Sequence, residues 1–285
     1  MSQTTLDRAA SKPPELRMLG YRFHPLRKAE LLDFLFADRT SGQQVVLAGA
    51  NLHGLYMYER VPEYRALLSR PEVKVIVDGM PVIWLLRLFG KPVVPQQRTT
   101  WADWFEDALE RAGREGRRVF VLGHTQAVLD TGLEEARRRW PDLAIEGRNG
   151  FFDLDDPEAC RAVLDDIRTS RPDLLVVGMS MPRQEIFVER YLAEIDVPVV
   201  GLGGAAFAYF AGDQVTPPRW LGWLGFEWAY RLFKDPRRLA ARYLVEPFGL
   251  AWVLGGRLLR ERRRKGGRRP PVEAVSRTGG SYRSD

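Results

Sequence analysis

Leu174-Leu175-Val176-Val177 is a continuous apolar run, too short for a helix and closed by Gly178. A run without alternation suits a strand buried on both faces of a parallel sheet, which constrains the fold more than any other feature of the chain. Past Gly178 the chain turns through Met181-Pro182, and Gln184 and Glu185 open the next periodic segment. Two polar side chains therefore sit at the carboxyl end of a central strand, the edge where open α/β sheets bind ligands. They equally suit the first turn of a helix, and the local pattern leaves the two readings level.

Similar short runs recur at Gln44–Ala48, Val73–Val77, Arg118–Leu122, Leu143–Glu146 and Val197–Gly201. Between them lie helical segments: Ala29–Phe36, Leu55–Leu68 with a wobble at Pro62, Val82–Phe89, Trp101–Ala112, Ala127–Arg139, Pro157–Arg168 and Gln184–Ala193. Strands alternating with helices at this spacing mean βαβ crossovers. The expected fold is α/β, a Rossmann-like three-layer α/β/α core with a mostly parallel sheet, over residues 16–212. Residues 1–15 read as a disordered lead and 266–285 as a disordered tail. Residues 213–265, rich in tryptophan and arginine, read as a helical, membrane-associating appendage.

The sole cysteine, Cys160, rules out an internal disulfide framework and fits a reducing compartment. With three histidines beside it, a structural zinc site is not expected. The first fifteen residues lack the apolar stretch of a secretory signal, and no run approaches the roughly 18 to 20 apolar residues that span a bilayer. The charge of +6 is concentrated at the carboxyl end, where Arg262-Arg263-Arg264-Lys265 stands near Arg257 and Arg260.

Asp235-Pro236 starts a helix that sets Arg238 and Arg242 on one face, and Glu246-Pro247 is expected to end it. Phe248–Arg264 can then form a second helix. Leu250, Val253, Leu254 and Leu258 lie on one side, Arg257, Arg260 and Arg264 on another, and Gly255-Gly256 weakens it. A basic amphipathic helix suits an anionic membrane surface. It also suits a helix packed on the core with a solvated basic face, or a nucleic-acid tail. Trp252 favours the membrane.

Several polar residues are candidates for chemistry. Asp78 follows Val73–Val77 directly, and a carboxylate projecting from a strand end can serve as general base on a hydroxyl; Asp-Gly is also a common turn. Gly201-Leu202-Gly203-Gly204-Ala205-Ala206 fits the G-x-G-x-x-G/A pattern, but no second strand with a ribose-binding acid follows, which argues against NAD. Lacking a Cβ, these glycines can admit a diphosphate or a uracil close to the backbone. Asp153-Leu154-Asp155 imitates a metal-binding D-x-D, yet Asp156-Pro157-Glu158 explains the acids as a helix start. Arg98 lies in a loop expected on the same sheet edge, where a guanidinium suits phosphate, although a solvated loop arginine is the commoner case. His53 and His124 stand isolated and receive no role.

Taken together, these residues resemble the TagA/WecG/CpsF glycosyltransferases, glycosyltransferase family 26, over about residues 20–245. Pro172–Glu185 is similar to the family's P-D-x-x-x-V-G-x-G-x-P-x-Q-E, and Gly225–Arg242 to its G-L-E-W-x-Y-R-L-x-x-E-P-x-R-x-x-R. Asn51, Asp78-Gly79, Arg98 and Gly203-Gly204 with Phe207 fall in the family's order. The resemblance implies an inverting, metal-independent transfer of a hexose or N-acetylhexosamine from a UDP-sugar, with no further cofactor. The implied acceptor is a polyprenyl-diphosphate-linked glycan of exopolysaccharide or cell-wall synthesis, met at the cytoplasmic face of the plasma membrane and without nucleic acid. By resemblance Asp78 is the general base, with Arg98 and Gln184 in the catalytic group. Asn51, Glu185, Gly203, Gly204, Arg231, Arg238 and Arg242 would hold the nucleotide-sugar. The oligomeric state, a homo-oligomer included, is open.

The chain departs from the pattern at Gly49, where the family has threonine, at Ala208, where it has aspartate, at Thr216, where it has a basic residue, and at Trp101, where it has glycine. Those departures motivate a rival reading, a non-catalytic nucleotide-sugar-binding scaffold of a polysaccharide assembly complex. A dinucleotide-dependent oxidoreductase rests on Gly201–Ala206 alone.

Overall fold

The structure is a computed structural model that describes residues 13–39, 43–214 and 219–266, without the side chains of 219, 223, 238 and 261–266. Most of the expected lead, the tail past 266 and Thr216 lie outside the described residues.

Six short apolar runs become six parallel strands: β3 (Val45–Ala50), β4 (Val73–Val77), β5 (Val119–Gly123), β6 (Ile145–Arg148), β7 (Leu174–Gly178) and β8 (Val199–Leu202). A hairpin of β1 (Leu16–Met18) and β2 (Tyr21–Phe23) precedes them. The order in the sheet is β4-β3-β8-β7-β5-β6. The inner strands β3, β8, β7 and β5 are buried on both faces, as their apolar runs require, while the edge strands β4 and β6 carry Lys74, Glu146 and Arg148. On β7, Leu175 and Val177 face one core while Leu174 and Val176 face the other. The first core is covered by α2 (Leu52–Arg60), α3 (Pro62–Ser69), α4 (Met80–Leu88), α7 (Pro157–Ser170) and α8 (Arg183–Tyr191). The second is covered by α1 (Lys28–Leu35), α5 (Trp101–Arg114), α6 (Gln126–Arg139) and the short α9 (Ala206–Phe210). This is the three-layer α/β/α core expected.

Two expectations within the core need correction. The span 55–68 is two helices, because Val61 is extended and Pro62 opens α3, where a missing N–H costs nothing. The β1–β2 hairpin went unread because strands of three residues are too short to show a period. It joins the core through the His24 N–H, which donates to Val75 O at 2.7 Å.

The appendage comprises α10 (Arg219–Trp223), α11 (Glu227–Lys234), α12 (Pro236–Ala240), a π-helical turn at Ala241–Val245 and α13 (Glu246–Gly266). Glu246-Pro247 does not end a helix, contrary to expectation. Proline lacks an N–H and crowds the carbonyl four residues back, and the widened π turn just before it supplies the room. The Gly255-Gly256 pair is likewise carried inside α13.

Leu250 and Leu254 are buried against the first core beside α2, so the apolar side of α13 is used by the fold itself. Arg257 turns inward with them. It donates to Leu19 O at 2.7 Å and pairs with Glu59 at 2.7 Å, rather than joining a solvated basic face. Phe248 and Trp252 point the other way and are 77% and 85% exposed. Leu254→Ala is expected to weaken the docking of α13 by about 2–5 kcal/mol, the usual cost of a buried leucine truncation. Amide exchange over residues 250–260 would accelerate while the central strands keep wild-type protection; unchanged exchange there would show that the leucine does not hold the helix.

Candidate active site

Parallel pairing places all six carboxyl ends on one edge, so residues far apart in the chain converge there. Asn51 follows β3, Asp78 follows β4, a cis Met181–Pro182 turn leads from β7 into α8, and Gly203-Gly204 follows β8. Asn51 serves twice. As the cap of α2 its Oδ1 accepts from the Gly54 N–H at 2.9 Å, which leaves Nδ2 to donate to Asp78 Oδ2 at 3.2 Å. Arg98 is held beside the end of β4 because the Thr99 N–H donates to Val77 O at 2.9 Å.

A cluster of charge closes over this edge. Arg98, nearly buried, pairs with Asp103 at 2.8 Å and with Glu227 of α11 at 3.5 Å. Glu227 also pairs with Arg231 at 2.5 Å. The Arg231 guanidinium lies 5.3 Å from the centre of the Tyr209 ring. Burial pushes the Asp78 carboxyl above its ordinary range and Glu227 pushes it further, while Arg231, the Asn51 hydrogen bond and Arg98 pull it down. The outcome is a carboxylate more basic than a solvated one, as proton abstraction requires.

Asp78 stands on the wall between two chambers. The larger, about 510 Å³, is lined by Trp101, His124, Gln184, Gly203, Gly204 and Tyr209 among others. The smaller, about 300 Å³, is lined by Gly79–Val82, His53, Trp228 and Pro247. Asn51, Asp78, Arg231, Arg242 and Tyr243 face both. The Nε atoms of Arg231 and Arg242 are buried without a hydrogen-bond partner, as is the indole N–H of Trp101. Unpaired buried donors are costly, so three such groups on one cavity define a surface suited to an anion.

Of the candidates, Asp78, Asn51, Gln184, Gly203, Gly204, Arg231 and Arg242 line the larger chamber, and Arg98 lines the smaller. Glu185 lines neither chamber. It is buried behind Gln184, whose Nε2 donates to Glu185 Oε1 at 2.9 Å while its Oε1 accepts from the Gly204 N–H at 3.2 Å. Glu185 thus orients the glutamine rather than touching the chamber. The Arg238 side chain lies outside the described residues.

The glycines divide as well. A Cβ at Gly201 would collide with Trp101 and one at Gly203 would crowd Val176, so packing accounts for the missing side chain at both, although Gly203 still lines the larger chamber. Gly204, at φ +55°, has open space beside it and is the one that can admit a ligand. The D-x-D imitation resolves into local structure. Asp153 accepts from the Asp155 N–H at 2.9 Å, Asp155 pairs with Arg190 at 3.0 Å, and Asp156 caps α7.

His124 and Tyr209 also line the larger chamber, and His53 and Glu227 the smaller, though the sequence assigns them no role. His53 Nδ1 meets Glu246 Oε2 at 2.5 Å, a contact between residues 193 apart that no local pattern carries. Glu227 lies inside the matched Gly225–Arg242 string, which could have flagged it.

A model of the glycosyl transferase WecG/TagA/CpsF family matches residues 16–265. The chain belongs to that family. It is a glycosyltransferase. Among similar proteins is the N-acetylglucosaminyldiphosphoundecaprenol N-acetyl-beta-D-mannosaminyltransferase of Bacillus spizizenii, 31% identical over 208 residues, 73% of this chain and 77% of the relative.

Burial pushes the Glu185 carboxyl up to about 8, against the hydrogen bond from Gln184. Folding therefore favours its neutral form. That contribution is complete below the ordinary carboxyl range and is lost as pH rises through about 8. Glu185→Gln is expected to raise the melting temperature at pH 8.5 relative to wild type and to flatten its decline between pH 5 and pH 8.5, about 2–4 °C for each kcal/mol regained. Parallel melting curves for the two proteins over that range would contradict the assignment.

Proposed function

We propose that this glycosyltransferase moves a hexose or N-acetylhexosamine from a UDP-sugar to a polyprenyl-diphosphate-linked glycan, with inversion and without a metal ion. The observation that carries the reading is Asp78. It is a carboxylate of raised basicity on the wall between two chambers, beside two guanidinium groups whose Nε atoms are unpartnered. The uridine nucleotide follows from the family resemblance. The lipid-linked acceptor has the support of the Bacillus relative's name, which specifies a sugar on diphosphoundecaprenol.

In this reading the diphosphate of the donor lies against Arg231 and Arg242 in the larger chamber, with Gly204 and Gln184 at its floor. The acceptor hydroxyl oxygen attacks the anomeric carbon, and the bond from that carbon to the diphosphate oxygen breaks. The leaving pair stays with UDP, where the guanidiniums stabilise the developing charge. The hydroxyl proton passes to Asp78. No second carboxylate is needed, since UDP leaves as an anion. A Cβ at Gly49 would lie 3.4 Å from the Asp78 Cβ, so the family's threonine would stand against the base. Its absence is a reason to expect a donor preference different from that of the Bacillus relative.

Asp78→Asn is expected to lower kcat by at least about a hundredfold, the scale of a lost general base, with the UDP-induced rise in melting temperature retained. Full activity in the variant would defeat the base assignment. Wild-type protein that binds UDP yet transfers nothing across a panel of donors and lipid acceptors would favour the scaffold reading.

The acceptor brings the membrane with it. No helix among the described residues is long and apolar enough to cross a bilayer. Peripheral attachment at the inner face of the plasma membrane is the arrangement proposed, through the outward side of α13. Because Leu250 and Leu254 are used by the core, Phe248 and Trp252 are the anchoring groups. Replacing both with alanine should reduce binding to anionic liposomes about tenfold or more, given about 1.5–3 kcal/mol for each large apolar side chain buried. Undiminished sedimentation with liposomes would place the anchor elsewhere.

A further inference from the structure

The two chambers have different characters, and resting on the transferase reading above, the difference assigns them. The larger is lined by polar and hydrogen-bonding groups: Gln184, Ser180, Gln214, Lys234 and Tyr209. The smaller has an apolar floor of Leu52, Met80, Pro81 and Val82 and a wall of Trp228 and Pro247. The side chains next along the chain from that wall point outward. Phe226 is exposed two residues before Trp228, and Phe248 directly follows Pro247. Trp220 and Leu224, exposed too, flank Gly222 on the same rim. One chamber therefore opens on the apolar margin of the appendage. The appendage residues that line the larger chamber include Tyr230, Arg231 and Lys234, which are polar.

Inversion adds a geometric demand. The attacking hydroxyl must approach the anomeric carbon from the face opposite the leaving diphosphate, with its base within hydrogen-bond reach. Donor and acceptor must then occupy spaces that meet at the base. Asp78 is the residue of the core that both chambers share along with Asn51.

We propose that the smaller chamber, bounded by Leu52, His53, Met80–Val82, Trp228 and Pro247, binds the sugar of the lipid-linked acceptor, whose isoprenoid chain leaves over the rim of Trp220, Phe226 and Phe248. Trp228 supplies an aromatic face for the apolar side of the pyranose. The indole is partly exposed and rests 6.1 Å from the Tyr243 ring. His53, held by Glu246 through Nδ1, presents Nε2 as its remaining polar atom for a sugar hydroxyl or acetamido group. Arg242, which faces both chambers, is placed for the acceptor diphosphate as well as for the donor. A cavity of about 300 Å³ lies at the small end of ligand pockets and suits one sugar ring rather than a nucleotide-sugar.

The test uses the full chain, a UDP-sugar donor that supports turnover, and a short-chain acceptor, farnesyl-diphospho-N-acetylglucosamine. Trp228→Ala and His53→Ala should each raise the acceptor KM at least about fivefold, while the donor KM and the UDP-induced melting shift stay within twofold of wild type. Tyr209→Ala, on the larger chamber alone, should do the reverse. Direct binding of the farnesyl analogue, measured without donor, should weaken in the first two variants and not in the third. Donor KM rising in Trp228→Ala and His53→Ala with the acceptor KM unmoved would overturn the assignment, as would acceptor binding untouched by either. If wild type binds the analogue in a Trp228-dependent way but transfers nothing, the chamber stands and the transferase reading falls. If transfer proceeds with acceptor KM indifferent to both variants, the transferase reading stands and the chamber falls. Unchanged UDP-induced shifts keep misfolding from imitating either result.

Discussion

The site depends on one shared carboxylate. Glu227 lies between Arg98, fixed to the end of β4 by backbone hydrogen bonds, and Arg231, carried in by the appendage. Without it Arg98 would keep Asp103, but Arg231 would lose the carboxylate it pairs with, and a carboxylate beside a less neutralised cation is a weaker base. With it the cluster holds its geometry while the carboxyl of Asp78 stays above its ordinary range. The same pair of contacts ties the appendage to the core at the place where chemistry is proposed, so the docking of α11 and the basicity of Asp78 are not independent.

The remainder of the appendage reinforces that coupling at a distance. Arg257 bonds the hairpin carbonyl of Leu19 and the Glu59 carboxylate, and His53 meets Glu246 where the π turn gives way to α13. These partly buried pairs carry geometry more than stability, since the desolvation of each charge offsets most of the attraction. Their effect is to fix which face of α13 remains outward. Leucines 250 and 254 go to the core, and the aromatic side faces away. The amphipathic pattern is compatible with either a bilayer or the core, and the structure gives its aliphatic stripe of Leu250 and Leu254 to the core.

How much could be read from the chain follows from how local each signal is. The strands were legible because a doubly covered strand is apolar at every position, a mark that Leu174–Val177 carries in full and that Val73–Val77, at the sheet edge, carries but for Lys74. Asp78 and Gln184 were legible because a polar residue just past such a run lands on the binding edge. The β1–β2 hairpin left no trace, being too short for a period. The Gly201–Gly204 stretch misled in part: glycine marks a close approach without saying whose, and here Trp101 takes the place a phosphate was offered. The Arg98–Glu227 and His53–Glu246 pairs join residues 129 and 193 apart, and only the folded chain brings them together.

The most direct test of the account is the pH dependence of kcat/KM for transfer in wild type and in Glu227→Gln. Asp78 must be ionised to accept the proton, so the rate falls on the acid side as pH drops through its pKa, which burial and Glu227 both raise. Removing the Glu227 charge should move that acid limb to lower pH, with the limb absent altogether in Asp78→Asn. An acid limb unmoved by Glu227→Gln, or still present in the asparagine variant, would mean that some other group takes the proton.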